Sequence, residues 1–293
     1  MAGPAFRAAP VRVRVPATSA NLGPGFDAFG LALGLYDDVV ARIGESGVAV
    51  DVAGEGADTV PRDKRNLVVR AMRATFDALG GQPRGIEVVC ANRIPHGRGL
   101  GSSAAAIVAG VLAARSLVLG PFPDEAVLAL CTELEGHPDN VAACLLGGLV
   151  LSWRSDSGVE AVRLPVDASV APVAFVPATK SSTAKARRLL PESVPHEDAA
   201  FNAARAALLV EALGRRPDLL LAATEDRLHQ PYRAEAMPRS AALVASLRAA
   251  GVPAVVSGAG PTVLAFGAAD VNPGRGWTAM PLAVAGGAEV LPV

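Results

Sequence analysis

The chain is poor in features that identify several other classes of protein. Its 293 residues include three cysteines, Cys90, Cys131 and Cys144, which are widely spaced and lie in apolar surroundings. An odd count without close pairing argues against a disulfide framework or a zinc site, and indicates reduced core thiols in a cytoplasmic protein. The formal net charge at pH 7 is −1, which gives no general attraction to nucleic acid or to an anionic membrane. Partners of those two kinds are not expected, so an anionic ligand must be held by local groups.

A long hydrophobic run is also missing. The most apolar stretch, residues 104–119, is shorter than the ~20 residues that cross a bilayer and is interrupted by Arg115. It is better interpreted as a buried helix whose alanines allow close packing. The start of the chain carries no apolar stretch behind a basic segment, so no signal peptide is predicted. The spacing of His96, His196 and His229 does not suit a metal site, and no long internal repeat is present.

The most informative segment that is present joins a glycine-rich turn to this helix. Three glycines stand within five residues of the segment Pro95–Ala105, directly before a helix start at Ser102. Glycines let backbone N–H groups approach a ligand, and the unpaired amides of a helix start carry partial positive charge. No lysine follows the last glycine, so the segment is not the usual P-loop. Taken alone it could be a tight connection, and a phosphate site needs other support.

Two further loops supply that support. Pro16–Gly30 is a polar, glycine-rich passage after the alternating strand Val11–Val15, and Ser257–Thr262 lies between two apolar strands. The three loops, in this order and at these separations, resemble the signature motifs of the GHMP kinase superfamily, which phosphorylates small metabolites with ATP. The similarity to the homoserine kinase family is closer still. It extends to Asn66–Val68, Glu133–Asn140, Ser182–Arg187 and His229–Arg233.

This resemblance implies an α+β, two-domain GHMP kinase-like fold, with a ribosomal protein S5-like N-terminal domain and a ferredoxin-like C-terminal domain. With 51% hydrophobic residues, the chain can build one large or two modest cores. We place the boundary at the polar turn Arg154–Gly158, which gives an ATP-binding domain at 1–155 and a domain contributing to the substrate site at 156–293.

The pattern of apolar residues and turn signals predicts the following elements. Strands are expected near residues 11–15, 39–43, 48–52, 86–91, 149–153, 159–163 and 172–176, on either side of 257–262, and near 285–290. Helices are expected at 67–79, through most of 102–146, and near 184–190, 199–213 and 240–250. Most of residues 267–293 matches nothing that can be interpreted.

The implied reaction transfers the γ-phosphoryl group of ATP to the side-chain hydroxyl of L-homoserine, giving O-phospho-L-homoserine in threonine biosynthesis. Such a transfer needs a triphosphate cradle, Mg²⁺, an aligned hydroxyl and compensation of charge. By resemblance, the ATP cradle comprises Pro95, Gly97, Arg98, Gly99, Leu100, Gly101, Ser102 and Ser103.

The metal ligands implied are the Ser103 hydroxyl and the Glu135 carboxylate, with Glu133 as the alternative, because only three residues separate Glu135 from the Asp-Asn pair. Mg²⁺ takes one or two protein oxygens, so this small set is sufficient. Asn66 matches a position that contacts adenine, but asparagine there is equally a good helix N-cap, and both interpretations stay open.

The acceptor presents a carboxylate, an ammonium and a hydroxyl. In the family's pattern, Arg187 and Arg233 bind the carboxylate, which suits the planar donors of arginine. Asp139 meets the ammonium, while Asn21 and Asp27 lie near the hydroxyl. Gly260 of the third loop completes the acceptor site.

The remaining roles concern the transfer itself. Asp27 is either a general base or only orients the hydroxyl, since a loose transition state keeps the proton in place until late. Asn140 lies near the γ-phosphate in the family, and Thr183 and His137 brace the pocket. We therefore assign catalytic roles to Asp27, Glu135, Asn140 and Thr183, and place His137 among the substrate-binding residues.

Two alternatives remain at this point. One is a related kinase acting on mevalonate or shikimate, acceptors with a carboxylate but no ammonium. The other is a catalytically silent nucleotide-binding protein, although Asn21, Asp27, Ser103 and Glu135 are all present. The resemblance also suggests a homodimer.

Overall fold

The computed structural model describes residues 4–180 and 183–293, apart from the side chains of residues 183 and 185. The α+β expectation is confirmed, because helices cover two separate β-sheets. The strands are β1 (Val11–Ala20), β2 (Phe29–Gly44), β3 (Gly47–Gly54), β4 (Gly85–Asn92), β5 (Leu149–Ser155), β6 (Gly158–Leu164), β7 (Pro172–Pro177), β8 (Ala254–Val256), β9 (Val263–Phe266), β10 (Trp277–Pro281) and β11 (Glu289–Leu291). The helices are α1 (Leu67–Ala78), α2 (Ser102–Leu117), α3 (Asp124–Glu135), α4 (Pro138–Leu146), α5 (Thr183–Arg187), α6 (His196–Gly214), α7 (Leu220–Ala223), α8 (Gln230–Arg233) and α9 (Pro238–Ala249).

The larger sheet is built mostly from the first half of the chain. Its strands lie in the order β11, β1, β2, β4 and β3, and β5 pairs with both β2 and β6. Strand β1 alternates strictly at its start: Val13 and Val15 are buried in the core, while Arg12 and Arg14 pair with Asp38 on β2 at 2.9 and 3.1 Å. Because side chains alternate with a period of two, this pattern fixes the face and the register of the strand.

The helix after the glycine-rich turn lies at the centre of this half. Helix α2 packs against α1 and the larger sheet, and its residues from Ala104 to Leu117 are buried except Ala106, Arg115 and Ser116. A helix that is apolar on nearly all sides must be enclosed, and here it is. Its first turn is consequently held rigidly beneath the glycine-rich loop.

The second sheet has the order β10, β7, β9, β8 and is antiparallel throughout. On β7, Val173 and Phe175 join a small cluster with Leu247 of α9, whereas Ala174 and Val176 join the large core shared with the first sheet. Alternation along one strand therefore ties the second sheet to the main core on one face and to α9 on the other.

The polar turn at 154–158 does not separate the two sheets. Strands β5 and β6 form a hairpin across it, with Ser155 opposite Gly158, and β11 returns near the C-terminus to pair with β1. A division between residues 155 and 156 would cut through this hairpin. The chain passes from the first sheet to the second between Leu164 and Pro172 instead.

The other elements largely follow the expected pattern, with shifted ends. Helix α5 ends at Arg187, the last strand starts at Glu289, and β10 was not anticipated. No helix in the described part of the chain is long and apolar enough to cross a membrane.

Candidate active site

The three glycine-rich loops converge on one cavity of about 150 Å³, at the start of α2. The residues that line it come from all three loops, from the α3–α4 junction, and from α5 and α8. They are Ala20, Asn21, Asp27, Gly97, Gly99, Gly101, Ser102, Ser103, Glu135, His137, Asp139, Asn140, Arg187, Arg233, Gly258, Ala259 and Gly260. The structure thus brings together most of the residues assigned from the sequence.

Buried serines join the loops to one another. Ser257 Oγ lies 2.8 Å from Ser19 Oγ and 2.6 Å from the Gly99 carbonyl oxygen. A hydroxyl has a single proton to donate, so Ser257 donates to the Gly99 carbonyl and accepts from Ser19. Sequence reasoning gave neither serine a role. The sequence provides only a weak indication of this role, because each serine is a small polar residue in a motif whose interpretation depends on its glycines.

Asn21 also connects loops. Its Oδ1 accepts from the Asp27 backbone N–H at 3.0 Å, and its Nδ2 donates to the Gly258 carbonyl at 2.9 Å. Asn21, Leu22 and Asp27 are the non-glycine residues with positive φ in the described chain, at 70°, 50° and 55°. Such conformations cost free energy and persist only where surrounding contacts impose them. The first loop is therefore held in an unusual shape, and Asn21 helps to hold it.

The turn before α2 has the form of an anion cradle. Gly97, Gly99 and Gly101 have φ values of 65°, 78° and 69°, a region that glycine adopts without steric cost. Gly101 is the N-cap of α2 and provides no side-chain hydrogen bond. The first amides of the helix are thus left without a side-chain acceptor, as at known anion sites.

Three residues assigned to the cradle do not line the cavity. Pro95 and Leu100 are buried behind the loop. The Arg98 guanidinium donates to the carbonyls of Pro177 at 2.9 Å and Ala178 at 3.1 Å, which ties the loop to the end of β7. Any contact of these residues with a nucleotide stays a prediction.

A second cavity, of about 290 Å³, adjoins the first and shares Ser102 and Ser103 with it. Asn66 lies in its wall and is also the N-cap of α1: its Oδ1 accepts from the Val68 N–H at 3.0 Å and its Nδ2 donates to the Pro61 carbonyl at 2.9 Å. The capping role of Asn66 is therefore realised, and its place in the wall leaves the adenine role open.

Asp37 lies in the same wall and was not found from the sequence. Its Oδ1 accepts the backbone N–H groups of Arg93 at 2.6 Å and Ile94 at 2.9 Å. Burial raises its pKa to about 6 against the lowering effect of these hydrogen bonds. The carboxylate fixes the backbone just before the glycine-rich turn.

At the junction of the two cavities, the Ser103 hydroxyl donates to Glu135 Oε2 at 2.5 Å. Glu133 is exposed and does not line the cavity. Burial raises the pKa of Glu135 above its usual range, and the Ser103 hydrogen bond opposes this only in part. Burial thus makes the charged form of Glu135 costly, and a cation bound beside it would offset that cost.

The α3–α4 junction holds a hydrogen-bonded chain. Asp139 Oδ1 lies 2.6 Å from His137 Nδ1 and accepts the Asn140 backbone N–H at 2.7 Å, while Asn140 Oδ1 accepts from the Thr18 hydroxyl at 2.8 Å. Burial alone would lower the pKa of His137, but the hydrogen bond and charge of Asp139, with the charge of Glu135, raise it. Thr18 was not assigned from the sequence, although it orients the Asn140 amide.

Two arginines stand at the other end of the cavity. Arg187 donates to both carboxylate oxygens of Asp27, at 2.9 and 2.7 Å. Arg233 is 2% exposed, and burial followed by the charge of Arg187 lowers its pKa. Both guanidinium groups lie over the Phe26 ring, at 5.7 and 5.3 Å from its centroid. A buried cation next to a second cation is stabilised by an anion placed between them.

One assigned residue cannot be located: the side chain of Thr183 lies outside the described residues. Size alone does not identify the site, because a larger cavity of about 430 Å³ lies between α6, α8 and α9, lined by Phe201, Met237 and Val244 among others. That cavity also carries acids and arginines, but none of the three glycine-rich loops and no residue of the start of α2 lines it. We therefore take the smaller charged cavity, where the three loops converge, as the active site.

Comparison with known proteins agrees with this geometry. A family model for the N-terminal domain of GHMP kinases matches residues 66–148, and a model for their C-terminal domain matches residues 204–275. The homoserine kinase of Streptomyces avermitilis is 64% identical, with 100% of this chain and 99% of that protein covered. The homoserine kinase of Streptomyces coelicolor is 63% identical, with 100% and 98% covered. Among solved structures, the homoserine kinase from Cytophaga hutchinsonii superposes with a TM-score of 0.82 at 26% identity, covering 99% of this chain and 100% of that one.

Proposed function

The chain belongs to the homoserine kinases of the GHMP kinase family, and from this we propose that it transfers the γ-phosphoryl group of ATP to the side-chain hydroxyl of L-homoserine. The product is O-phospho-L-homoserine, an intermediate of threonine biosynthesis. The observation that carries the proposal is the charge arrangement of the cavity: a helix start and glycine turn at one end, and two arginines with acids at the other.

The ATP site is proposed to span the two adjoining cavities. The base would occupy the pocket that Asn66 and Asp37 line, and the phosphates would lie on the cradle, because Ser102 and Ser103 belong to both walls. Helix-start amides and glycine N–H groups bind the triphosphate oxygens, which orients the γ-phosphoryl group toward the acceptor.

Ser103 and Glu135 fit a magnesium ion. They offer a hydroxyl and a carboxylate oxygen, both hard donors, and their side chains already contact one another. No group of three or more His, Cys, Asp or Glu residues suited to a metal exists among the described residues, which agrees with an ion held by one or two protein ligands and the phosphates. When bound, Mg²⁺ supplies charge compensation for the transferred group.

The acceptor's carboxylate is proposed to bind Arg187 and Arg233. Following the family pattern, Asp139 meets the ammonium, and Asn21 with Asp27 orients the hydroxyl without the need for early proton removal. Asp27 is the alternative partner of the ammonium, since it pairs with Arg187 and the ammonium shares a carbon atom with the carboxylate.

The test of function is ADP release with ATP and Mg²⁺ against L-homoserine, serine, threonine, mevalonate and shikimate. We expect homoserine to have the highest kcat/KM by at least tenfold. Turnover with an acceptor that lacks an amine, in preference to homoserine, would overturn the substrate assignment. Absence of turnover with every acceptor would favour a silent nucleotide-binding protein.

The roles of Asp139 and Asp27 in binding the ammonium can be distinguished with γ-hydroxybutyrate, which is homoserine without its ammonium. Asp139→Asn and Asp27→Asn are compared for their kcat/KM with both acceptors. The variant that loses the preference for homoserine identifies the acid that meets the ammonium. If neither variant alters the preference, both assignments fail.

We also propose a cytoplasmic homodimer. The cytoplasmic assignment rests on three free, buried thiols, and the dimer rests on family resemblance. Light scattering coupled to size exclusion measures the oligomeric state directly, and a monomeric mass at micromolar concentration would contradict the dimer.

A further inference from the structure

His229 is the one buried histidine whose two ring nitrogens both have close partners in the described residues. Its side chain is 0% exposed and does not line the cavity. Its Nε2 lies 2.8 Å from the Gly23 carbonyl oxygen, and its Nδ1 lies 3.2 Å from Arg233 Nη1. The proposed function leaves this residue without a role.

These two contacts determine the protonation of the ring. A carbonyl oxygen only accepts, so Nε2 carries the proton, and a guanidinium only donates, so Nδ1 presents its lone pair. Both contacts are satisfied by one neutral tautomer. The pKa of His229 is lowered by burial, against the charge of Asp226, whose Oδ2 lies 3.4 Å away, and this agrees with a neutral ring.

The position of His229 links the first loop to α8. Gly23 belongs to the loop that contains Asn21 and Asp27, whereas His229 stands four residues before Arg233, so that both lie on the same face of the helical turn. The ring also stacks on Phe26, with centroids 5.2 Å apart and planes tilted by 30°.

The Arg233 guanidinium has few other restraints. Its Nε donates to the Ala186 carbonyl at 3.3 Å, and its Nη1 reaches the Gly258 carbonyl only at 3.5 Å. Within the part of the chain that is described, Nη2 makes no protein hydrogen bond. His229 therefore provides the shortest hydrogen bond of the guanidinium, at Nη1, and leaves Nη2 free of the described residues.

We propose that His229 is a positioning residue: it holds the Arg233 guanidinium so that its free donors address the acceptor's carboxylate. The inference rests on the proposed function, because it takes Arg233 as a carboxylate ligand. It predicts that loss of the Nδ1 acceptor weakens acceptor binding, while nucleotide binding and the transfer step at saturation are affected little.

The test uses three substitutions of His229. His229→Asn places an amide oxygen near the position of Nδ1 and loses the contact with Gly23. His229→Gln places its amide near the position of Nε2 and loses the acceptor for Arg233. His229→Phe keeps the ring against Phe26 and removes both contacts. Exposed His196 provides a control, as His196→Asn.

We expect the KM for homoserine to rise about tenfold or more in His229→Phe and His229→Gln, and clearly less in His229→Asn, since a hydrogen bond to a charged group is being removed or kept. The KM for ATP should stay near the wild-type value. Propanolamine, which is homoserine without its carboxylate, should be turned over with the same low kcat/KM by all forms.

A purely structural role for His229 would lower kcat, raise both KM values and reduce the melting temperature together, without the difference between Asn and Gln. Equal KM values in the Asn and Gln variants, or an equal loss with propanolamine, would overturn the inference. Wild-type enzyme that fails to phosphorylate homoserine would instead overturn the proposed function, so the two failures are distinguishable.

Discussion

Replacement of Gly99 by alanine tests whether the second and third loops cross as closely as the structure has them. Gly99 has a φ of 78°, and a Cβ at this position would lie 2.8 Å from the Gly260 carbonyl oxygen and still closer to that of Ser257. Left-handed backbone costs a non-glycine residue about 1–2 kcal/mol. Forcing an extra carbon into a packed site costs about 1–3 kcal/mol more. The expected total for Gly99→Ala is therefore about 2–5 kcal/mol of unfolding free energy.

Gly251 provides a matched control. Its φ is 80°, and an added Cβ would meet nothing within 4 Å. Gly251→Ala therefore carries only the backbone cost, about 1–2 kcal/mol. The restriction of the unfolded chain by alanine is the same in both variants and cancels in the comparison. The difference between the two variants, about 1–3 kcal/mol, measures the steric cost at the crossing of the loops.

Urea unfolding measures the loss of stability, and steady-state kinetics measure the effect on ATP binding. We expect Gly99→Ala to unfold at lower urea than Gly251→Ala, and its KM for ATP to rise about tenfold, which corresponds to ~1.4 kcal/mol of binding free energy. Gly251→Ala should keep the wild-type KM. If both variants lose the same stability and bind ATP alike, the loops do not meet at this distance and the cradle is wrongly constructed.

Three further predictions concern charge and thiols. Glu135→Gln should raise the melting temperature of the nucleotide-free protein near pH 7 and lower the rate at least ~100-fold. The pKa of Glu135 is raised in the folded state, so the stability that this carboxyl contributes falls as pH rises through that pKa. A melting temperature unchanged by the substitution would refute the burial argument. Arg187→Lys should raise the KM for homoserine about 10- to 100-fold, since a lysine cannot replace a bidentate fork, with the KM for ATP unchanged; an equal rise in both would show a general loss of structure. Burial raises the pKa of Cys90 and Cys131 to about 12 and that of Cys144 well above its usual value. A thiol reagent at pH 7 should therefore label the native protein slowly and the unfolded protein fast. Rapid labelling of the native protein, seen by mass spectrometry, would contradict the buried positions of the three cysteines.

The parts of the site that were predictable from sequence are those whose physical requirement is local. Glycine adopts a left-handed backbone without steric cost, so three glycines as closely spaced as Gly97, Gly99 and Gly101 predict a tight turn. An alanine-rich run after that turn predicts a buried helix, and its start supplies the anion site. The arginines were found only because they stand in a family motif, since a single arginine on a helix is usually a surface residue.

The parts that were missed depend on residues far apart in the chain. The hydrogen bond between Ser257 and Ser19 spans 238 positions, and the one from Thr18 to Asn140 spans 122. No local sequence pattern predicts hydrogen-bond partners that lie so far apart in the chain. The turn at 154–158 was interpreted as a domain boundary for a related reason. A linker and a hairpin turn use the same residue types, and only the pairing of Ser155 with Gly158 shows that β5 and β6 form a hairpin there.

In the proposed binding mode, the charges at the acceptor end account for selection of a zwitterion. Asp27 occupies donors on Nη1 and Nη2 of Arg187, which leaves other donors of the same guanidinium for an incoming carboxylate. Arg233 is buried, with a carbonyl contact on Nε and an imidazole contact on Nη1, and its Nη2 makes no hydrogen bond to a described residue. An acceptor without a carboxylate would leave Arg233 without an anionic partner from the acceptor, and an acceptor without an ammonium would leave Asp139 without a cationic one. Because a buried charge without its counterion is costly, each missing group is penalised on its own. In the proposed binding mode, selectivity for an amino acid alcohol therefore follows from side-chain charges that the protein itself compensates only in part, and it should weaken when either acid or either arginine is neutralised.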